Sequence, residues 1–311
     1  MKPDAAQVLP TVAVVVVTYN NSKDTHACLA RLNALTYPDV KVIVVDNGSS
    51  PREDGDLEAS FGASIEVLRV EINRGYGPGA NIGIDRALAI GASFVWLVNN
   101  DALVDEGSLS ALVEVAVRNG SVGIFSPLIT APQGPESPHG LWYAGGSLAL
   151  GRAQSAHSQR LPEGTAPFET GYITGCAMLV RSSVFRDVGM LREDLFLFWE
   201  DVDLNLRAAS KGWGLTVVPS AKVFHKVHGS IPQLAIRRYS GRNALWIVAT
   251  HTDLATFLRA TFHEGRRVAR AWISAILRRR AAPWPETVGL LEGVSGALSA
   301  RSRTARLPTS A

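Results

Sequence analysis

The chain has almost no cysteine: two among 311 residues, Cys28 and Cys176. Two cannot build a disulfide framework, so each reads as a small buried side chain in a reducing compartment. Charge of one sign is equally scarce. A formal net charge of +3 is too small to grip a phosphate backbone, and no nucleic acid partner is expected. Long hydrophobic runs are missing as well. The most apolar late stretch, residues 244–262, is broken by His251, Asp253 and Arg259, well short of the roughly 20 apolar residues that span a bilayer. The amino terminus offers Lys2, Pro3 and Asp4 before a short apolar run, without the pattern of a cleaved leader. The expectation is a cytoplasmic protein, peripheral at most on the inner face of the cell membrane. No internal repeat is visible.

What is present is an alternation of apolar runs and helical spacing. Residues 12–17, 40–45, 65–70 and 94–98 are rich in β-branched and apolar side chains, as strands buried on both faces should be. Helical patterns lie between them, with Cys28, Leu29, Leu32 and Leu35 on one, then residues 80–90, then Leu109, Leu112, Val113 and Ala116 on another. Strand and helix in alternation mean an α/β fold with a doubly wound, mostly parallel sheet. Each of the four strands ends in polar residues or glycine: Thr18-Tyr19-Asn20, Asp46-Asn47-Gly48-Ser49, Asn73-Arg74-Gly75 and Asn99-Asn100-Asp101. Ligands of such sheets bind beyond the carboxyl ends of the strands. Asp101 there suits a divalent metal that in turn holds a diphosphate.

The second half differs. Residues 126–171 are rich in Pro, Gly and Ser and read as loop plus a hairpin, with one apolar island at 141–150. Strand character returns at 172–180 and 215–218, with helices at 182–188 and 200–210 and a helical pattern from residue 233 on. Glu200, Asp201 and Asp203 open the helix at 200, where the helix dipole favours negative charge and keeps a carboxylate ionised. Acidic residues at a helix start are also common for structural reasons alone. An ionised carboxylate is what a base acting on a hydroxyl requires. His225 follows a strand and precedes Gly229; it can ligate a metal through one imidazole nitrogen, and His228 competes for that role.

The ordered set VVTYN, VVDNGS, NRGYGPGANIGI, LVNND, TGCAMLVRSSVF, FLFWEDVDLNLRAASKGW, VFHKVHGS and YSGRNALW resembles the family 2 inverting glycosyltransferases, most closely their rhamnosyltransferase-like branch. The resemblance implies the fold called GT-A with a C-terminal helical appendage. It divides the chain into a catalytic domain at 1–232 (nucleotide-binding half 11–125, acceptor-binding half 126–232) and a helical region with a basic tail at 233–311. It implies transfer of a sugar, dTDP-L-rhamnose being one donor, to a hydroxyl of a lipid-linked or cell-envelope glycan. By matched motif, Thr18, Tyr19, Asn20 and Asp46 would hold base and ribose, and Asn73, Gly75 and Asn81 would line the donor pocket. Asn99, Asn100 and Asp101 form the metal-binding triplet, Asp101 being its one carboxylate and the Mg2+ or Mn2+ ligand, with His225 completing the site. Gly175 would let backbone approach the donor or acceptor. Asp201 would be the general base, paired with Glu200 as catalytic acids.

Two other readings remain open in the residues. Gly75 to Ala80 satisfies G-x-G-x-x-A, the dinucleotide signature of NAD-dependent oxidoreductases, but it follows the third strand and holds Pro78 inside the turn. A catalytically silent sugar-nucleotide-binding protein is the other. The carboxyl-terminal part is basic, with Arg266, Arg267, Arg270, Arg278, Arg279, Arg280, Arg301, Arg303 and Arg306. Val268, Ala271, Trp272, Ala275 and Ile276 make an apolar stripe between them. This suits an interfacial helix on anionic lipid, or equally packing on the catalytic domain or in a homo-oligomer.

Overall fold

The computed structural model describes residues 9–134, 137, 139–227, 233–278 and 281–304. His228, Gly229, Ser230, Arg279, Arg280 and Arg306 lie outside them. The first half runs β1 (Val12–Thr18), α1 (Ser22–Asn33), β2 (Val40–Asn47), α2 (Asp54–Phe61), β3 (Ile65–Val70), α3 (Tyr76–Ala89), β4 (Phe94–Asn99), β5 (Ala102–Val104) and α4 (Ser108–Arg118). The second continues β6 (Val122–Thr130), β7 (Leu141–Tyr143), β8 (Gly146–Ala149), β9 (Gln154–His157), β10 (Phe168–Glu169), β11 (Ala177–Arg181), α5 (Ser182–Val188), α6 (Glu200–Ser210) and β12 (Gly214–His225). Helices α7 (Gln233–His251), α8 (Leu254–Leu277) and α9 (Trp284–Thr304) follow.

The expected α/β architecture is present. The main sheet has the order β10-β12-β6-β11-β4-β1-β2-β3, and β3, β2, β1 and β4 are parallel. Alternate residues of β1 face opposite layers. Val12, Val14 and Val16 pack with Leu29 and Leu32 of α1 and Leu112 of α4. Ala13 and Val15 pack with Ala80 and Ile84 of α3. The chain leaves β1 for β2 on one side and reaches β4 on the other. Strand order therefore reverses between β1 and β4, and a crevice opens beyond their carboxyl ends.

Three local differences from the sequence expectation have physical reasons. Helix α3 starts at Tyr76, not near residue 80; Gly77 and Pro78 sit in its first turn, ahead of the first intrahelical bond from Gly79 N–H to Gly75 O, so proline is tolerated. Strand β6 runs on through Pro127, in the stretch expected to be loop. Its partner β12 shifts register between Val218 and Lys222, so the missing donor falls beside an irregularity. The strand expected over 172–180 begins only at Ala177. Ahead of it, Ile173 is clamped by the Asn205 side chain, which accepts from its N–H at 2.9 Å and donates to its carbonyl at 3.0 Å. The hairpin expected between 126 and 171 is β8–β9.

The third acid of the WEDVD motif is structural. Asp203 is buried and accepts from Arg207 Nε at 2.7 Å and meets His251 Nε2 at 2.8 Å, tying α6 to α7. Burial alone would raise its pKa, but His251 and Arg207 hold it below the ordinary carboxylate range. Because the folded value is the lower one, its contribution is complete above the usual pKa and is lost as pH falls through the folded value. Asp203→Asn is expected to cost on the order of 3 kcal/mol at neutral pH by urea unfolding. The gap from wild type should narrow below about pH 4; a gap independent of pH would contradict the pairing.

Candidate active site

The polar ends of β1 to β4 gather at the reversal of strand order, and most of their side chains are already engaged. The Thr18 hydroxyl is buried, donates to Glu53 at 2.7 Å and lies 2.8 Å from that of Thr25. Asn100 donates to Thr25 Oγ1 at 3.0 Å. Asn20 Oδ1 accepts from Ser50 N–H at 2.7 Å, and Ser49 Oγ accepts from Asn20 N–H at 3.0 Å, so β1 and β2 share a loop wall. Tyr19 stands exposed on this rim. Asp46 is wholly buried, ion-paired to Arg69 and accepting from Ser49 N–H at 2.9 Å; it shapes the loop from beneath. Asn73 Oδ1 accepts from Gly75 N–H at 2.8 Å and from the Asn47 amide at 3.2 Å. Asn81 grips the chain at Leu191, donating to its carbonyl at 2.9 Å and accepting from its N–H at 3.0 Å.

Past β4, Asp101 and His225 converge. Asp101 Oδ1 and His225 Nε2 are 3.1 Å apart, and both residues are more than nine-tenths buried. The pairing of β5 with β12 places them, with Ala102 opposite His225. Burial disfavours charge on His225, yet Cys176 and Asp101 outweigh it and lift its pKa to about 10. Among the described residues no group of three or more His, Cys, Asp or Glu is arranged to hold a metal ion. Asn99 contributes backbone here: its N–H donates to Cys176 O at 2.9 Å.

Asp201 lies at the start of α6. Its Oδ2 accepts from the Tyr172 hydroxyl at 2.8 Å and Gly175 N–H at 2.9 Å, and its Oδ1 from Val202 N–H at 2.7 Å. A Cβ on Gly175 would sit 3.3 Å from Asp201 Cβ, so this glycine serves the carboxylate directly. Burial raises the Asp201 pKa and these donors oppose it. Glu200 is pushed up to about 8 by burial and then by Asp201, and its Oε2 is buried without a partner. The two acids share one net charge: donors hold it on Asp201, and Glu200 keeps the proton.

Residues that sequence reasoning passed over join the two ends. Tyr76 opens α3, and its N–H donates to Phe196 O at 2.7 Å; burial and then Glu200 oppose ionisation of its hydroxyl. Trp142 stands edge-on to His225, ring centres 4.8 Å apart, and to His157 at 4.4 Å; His157 stacks on Tyr172 at 5.9 Å. Burial, with His225 nearby, lowers the His157 pKa to about 4 and keeps that ring neutral. Tyr76 sat in a quoted glycine motif and Trp142 in the apolar island, but no spacing marks either. A cavity of about 630 Å³ lies elsewhere, at the amino ends of β1 and β2 among Thr11, Asp39, Lys41 and Arg86, and touches none of these groups.

Residues 13–189 match the sequence model for Glycosyl transferase family 2. An N-acetylglucosaminyl-diphospho-decaprenol L-rhamnosyltransferase of Mycobacterium tuberculosis is 31% identical over 275 residues, 81% of this chain and 85% of its own. The dTDP-rhamnosyl transferase RfbF of Shigella flexneri is 24% identical over 218 residues, 68% of each chain. Among solved structures, GalNAc-T7 with UDP, GalNAc and Mn2+ matches with a TM-score of 0.64 at 19% identity. That match covers 85% of this chain and 52% of the other, about half its length, and establishes the GT-A type of fold.

Gly75 caps α3 at φ +97°, and a Cβ there would lie 2.3 Å from the Phe196 carbonyl oxygen. Gly91 also has a positive φ, +76°, with nothing within 4 Å, so Gly91→Ala serves as a positive-φ glycine without a close neighbour. Gly75→Ala is expected to lower unfolding stability by about 2 kcal/mol more than Gly91→Ala; equal losses would mean that the close approach is not needed.

Proposed function

The chain belongs to glycosyl transferase family 2, and we propose that it moves L-rhamnose from dTDP-L-rhamnose to a hydroxyl of a lipid-linked or cell-envelope glycan, with inversion. The names of its relatives support donor and acceptor: one acts on N-acetylglucosaminyl-diphospho-decaprenol, the other is a dTDP-rhamnosyl transferase. The observation that carries the chemistry is Asp201, a half-buried carboxylate at the start of α6 held by three donors.

In this reading Tyr19, Asn20, Asn73 and Asn99 meet base, ribose and sugar, with Thr18 and Asn100 bracing them. Asp46 and Asn81 act one layer back, through the loops that they hold. Asp201 takes the proton of the acceptor hydroxyl as its oxygen bonds to the anomeric carbon. The bond to the diphosphate breaks on the opposite face, and the nucleoside diphosphate leaves with the electron pair. One carboxylate suffices because no covalent enzyme intermediate forms, unlike the paired acids of glycoside hydrolysis. Glu200, holding its proton at neutral pH, keeps a second charge away from the base.

Asp101 and His225 would hold Mg2+ or Mn2+. The carboxylate oxygen and the imidazole nitrogen lie 3.1 Å apart, and that donor pair, once the ring gives up its proton, would suit either metal. Such an ion, when bound, offsets the charge gathering on the leaving group.

Membrane contact is supported by α8. Leu254, Leu258, Phe262, Ile273 and Ile276 are exposed and fall within roughly 100° of the helix circumference. Arg259, Arg266 and Arg270 border that sector, Arg266 lying 5.8 Å above the Phe262 ring. Phe257, Ala260, Val268 and Ala275 bury the opposite side. An apolar strip edged by arginine fits the headgroup region of an anionic leaflet, where a lipid-linked acceptor would reside. Among the described residues no helix is long and apolar enough to cross a membrane.

Incubation with dTDP-, UDP- and GDP-sugars and Mg2+ or Mn2+ should release nucleotide from dTDP-L-rhamnose; no turnover or binding of any donor would sink the proposal. Asp201→Asn should abolish transfer yet bind dTDP normally, whereas Asp101→Ala should lose metal-dependent donor binding that Asn100→Ala retains. In flotation assays the protein should bind phosphatidylglycerol vesicles and not phosphatidylcholine vesicles, and Phe262→Asp with Ile273→Asp should release it. A dimer in sedimentation that these substitutions dissolve would assign the strip to a second copy instead.

A further inference from the structure

The five residues before Glu200, Leu195 to Trp199, adopt a backbone that their sequence does not favour. Phe196 has φ 62° and ψ −53°, and Leu197 N–H donates across it to Leu195 O at 2.7 Å. That is the positive-φ γ-turn, a rare and strained form. Phe198 at φ 69° and Trp199 at φ 72° are left-handed too. Three bulky aromatic residues in that region within four positions need outside restraint.

The restraint comes from two sides. Asn243, on α7 and fully buried, donates its amide to Leu195 O at 2.9 Å, Leu197 O at 2.7 Å and Phe198 O at 2.9 Å. Only the NH2 end can face three carbonyls. Arg242 fixes that orientation: its Nε donates to Asn243 Oδ1 at 2.8 Å, and its Nη2 to Leu195 O at 2.7 Å. From the other side Tyr76 N–H donates to Phe196 O at 2.7 Å. The turn thus joins the first residue of α3, on the donor side, to the first residues of α6, which carry the acids.

We propose that Asn243, oriented by Arg242, is a positioning residue for transfer. By holding the 195–199 turn it sets the span between the donor edge and the Glu200–Asp201 pair. The proposal rests on the reading of Asp201 as base. It makes catalysis depend on α7, which lies beyond the residues matched to the family model. The body of α6 is anchored without Asn243, through Asp203 to His251, Arg207 to the carbonyls of Val188 and Met190, and Asn205 to Ile173. Loss of Asn243 therefore frees the turn and the Glu200 end of the acid pair rather than the helix. Glu200, whose Oε2 has no partner, has least to hold it in place.

Asn243→Asp keeps the size of the side chain and removes its donors. It is expected to lower kcat about 100-fold while dTDP affinity stays within about threefold, with the pH profile of kcat displaced because the acid pair sits differently. Arg242→Ala, which leaves Asn243 in place but unoriented, should lower kcat about tenfold with the same signature, and serves where Asn243→Asp does not fold. Asp201→Asn is measured alongside. Should Asp201→Asn be inactive and the folded Asn243 and Arg242 variants keep wild-type kcat and pH profile, the positioning role is wrong and the base stands. Should Asp201→Asn transfer normally, both readings fall. A loss of kcat matched by an equal loss of dTDP binding and of melting temperature would mark Asn243 as merely structural and overturn the proposal.

Discussion

A carboxylate withdrawn from water must find donors or a cation, and at the carboxyl edge of this sheet the partner found decides what each acid does. Asp46 takes Arg69 and loop N–H groups and becomes part of the framework. Asp203 takes Arg207 and His251 and joins two helices. Asp101 takes the His225 imidazole at the end of β12. Asp201 takes only neutral donors, so no cation offsets its charge. Glu200 takes none on one oxygen and stays protonated. The different behaviour of five acids follows from desolvation together with the partner each one finds.

The nucleotide-binding half was legible because its signals are local. Unbroken apolar runs ending in polar residues name the strands and their ligand ends together, and β1 to β4 fall where those runs lie. Where the outcome depended on a distant partner, local signals did not suffice. Proline at 127 reads as loop, yet a register shift on β12 accommodates it within the sheet. Asp46 and Asn81 read as ligand contacts from their place after a strand or in a glycine motif. Each also has protein partners, Asn81 in a segment 110 residues away. No periodicity reports such a bond. The G-x-G-x-x-A match likewise dissolves into a helix start whose first N–H is taken by Phe196.

The C-terminal helices are more than an appendage in packing terms. Leu195, Trp199 and Val202 belong to the same buried cluster as Ala244, Leu245 and Val248 of α7 and Phe257 of α8. Helix α9 lies close along α7 through Gly289, Gly293 and Gly296, which meet Arg238, Arg242 and Trp246. The face of α8 turned from this cluster carries the exposed apolar strip. One helix therefore bridges from the core around residues 195–202 to the molecular surface.

The contact between Gly75 and Phe196 is made of main-chain atoms on both sides. A spacing set by backbone cannot drift when neighbouring side chains are exchanged. It works as a ruler: side chains around it can be recut while the interval between the start of α3 and the start of α6 stays as it is, and the residue that sets the interval is one that has no side chain at all.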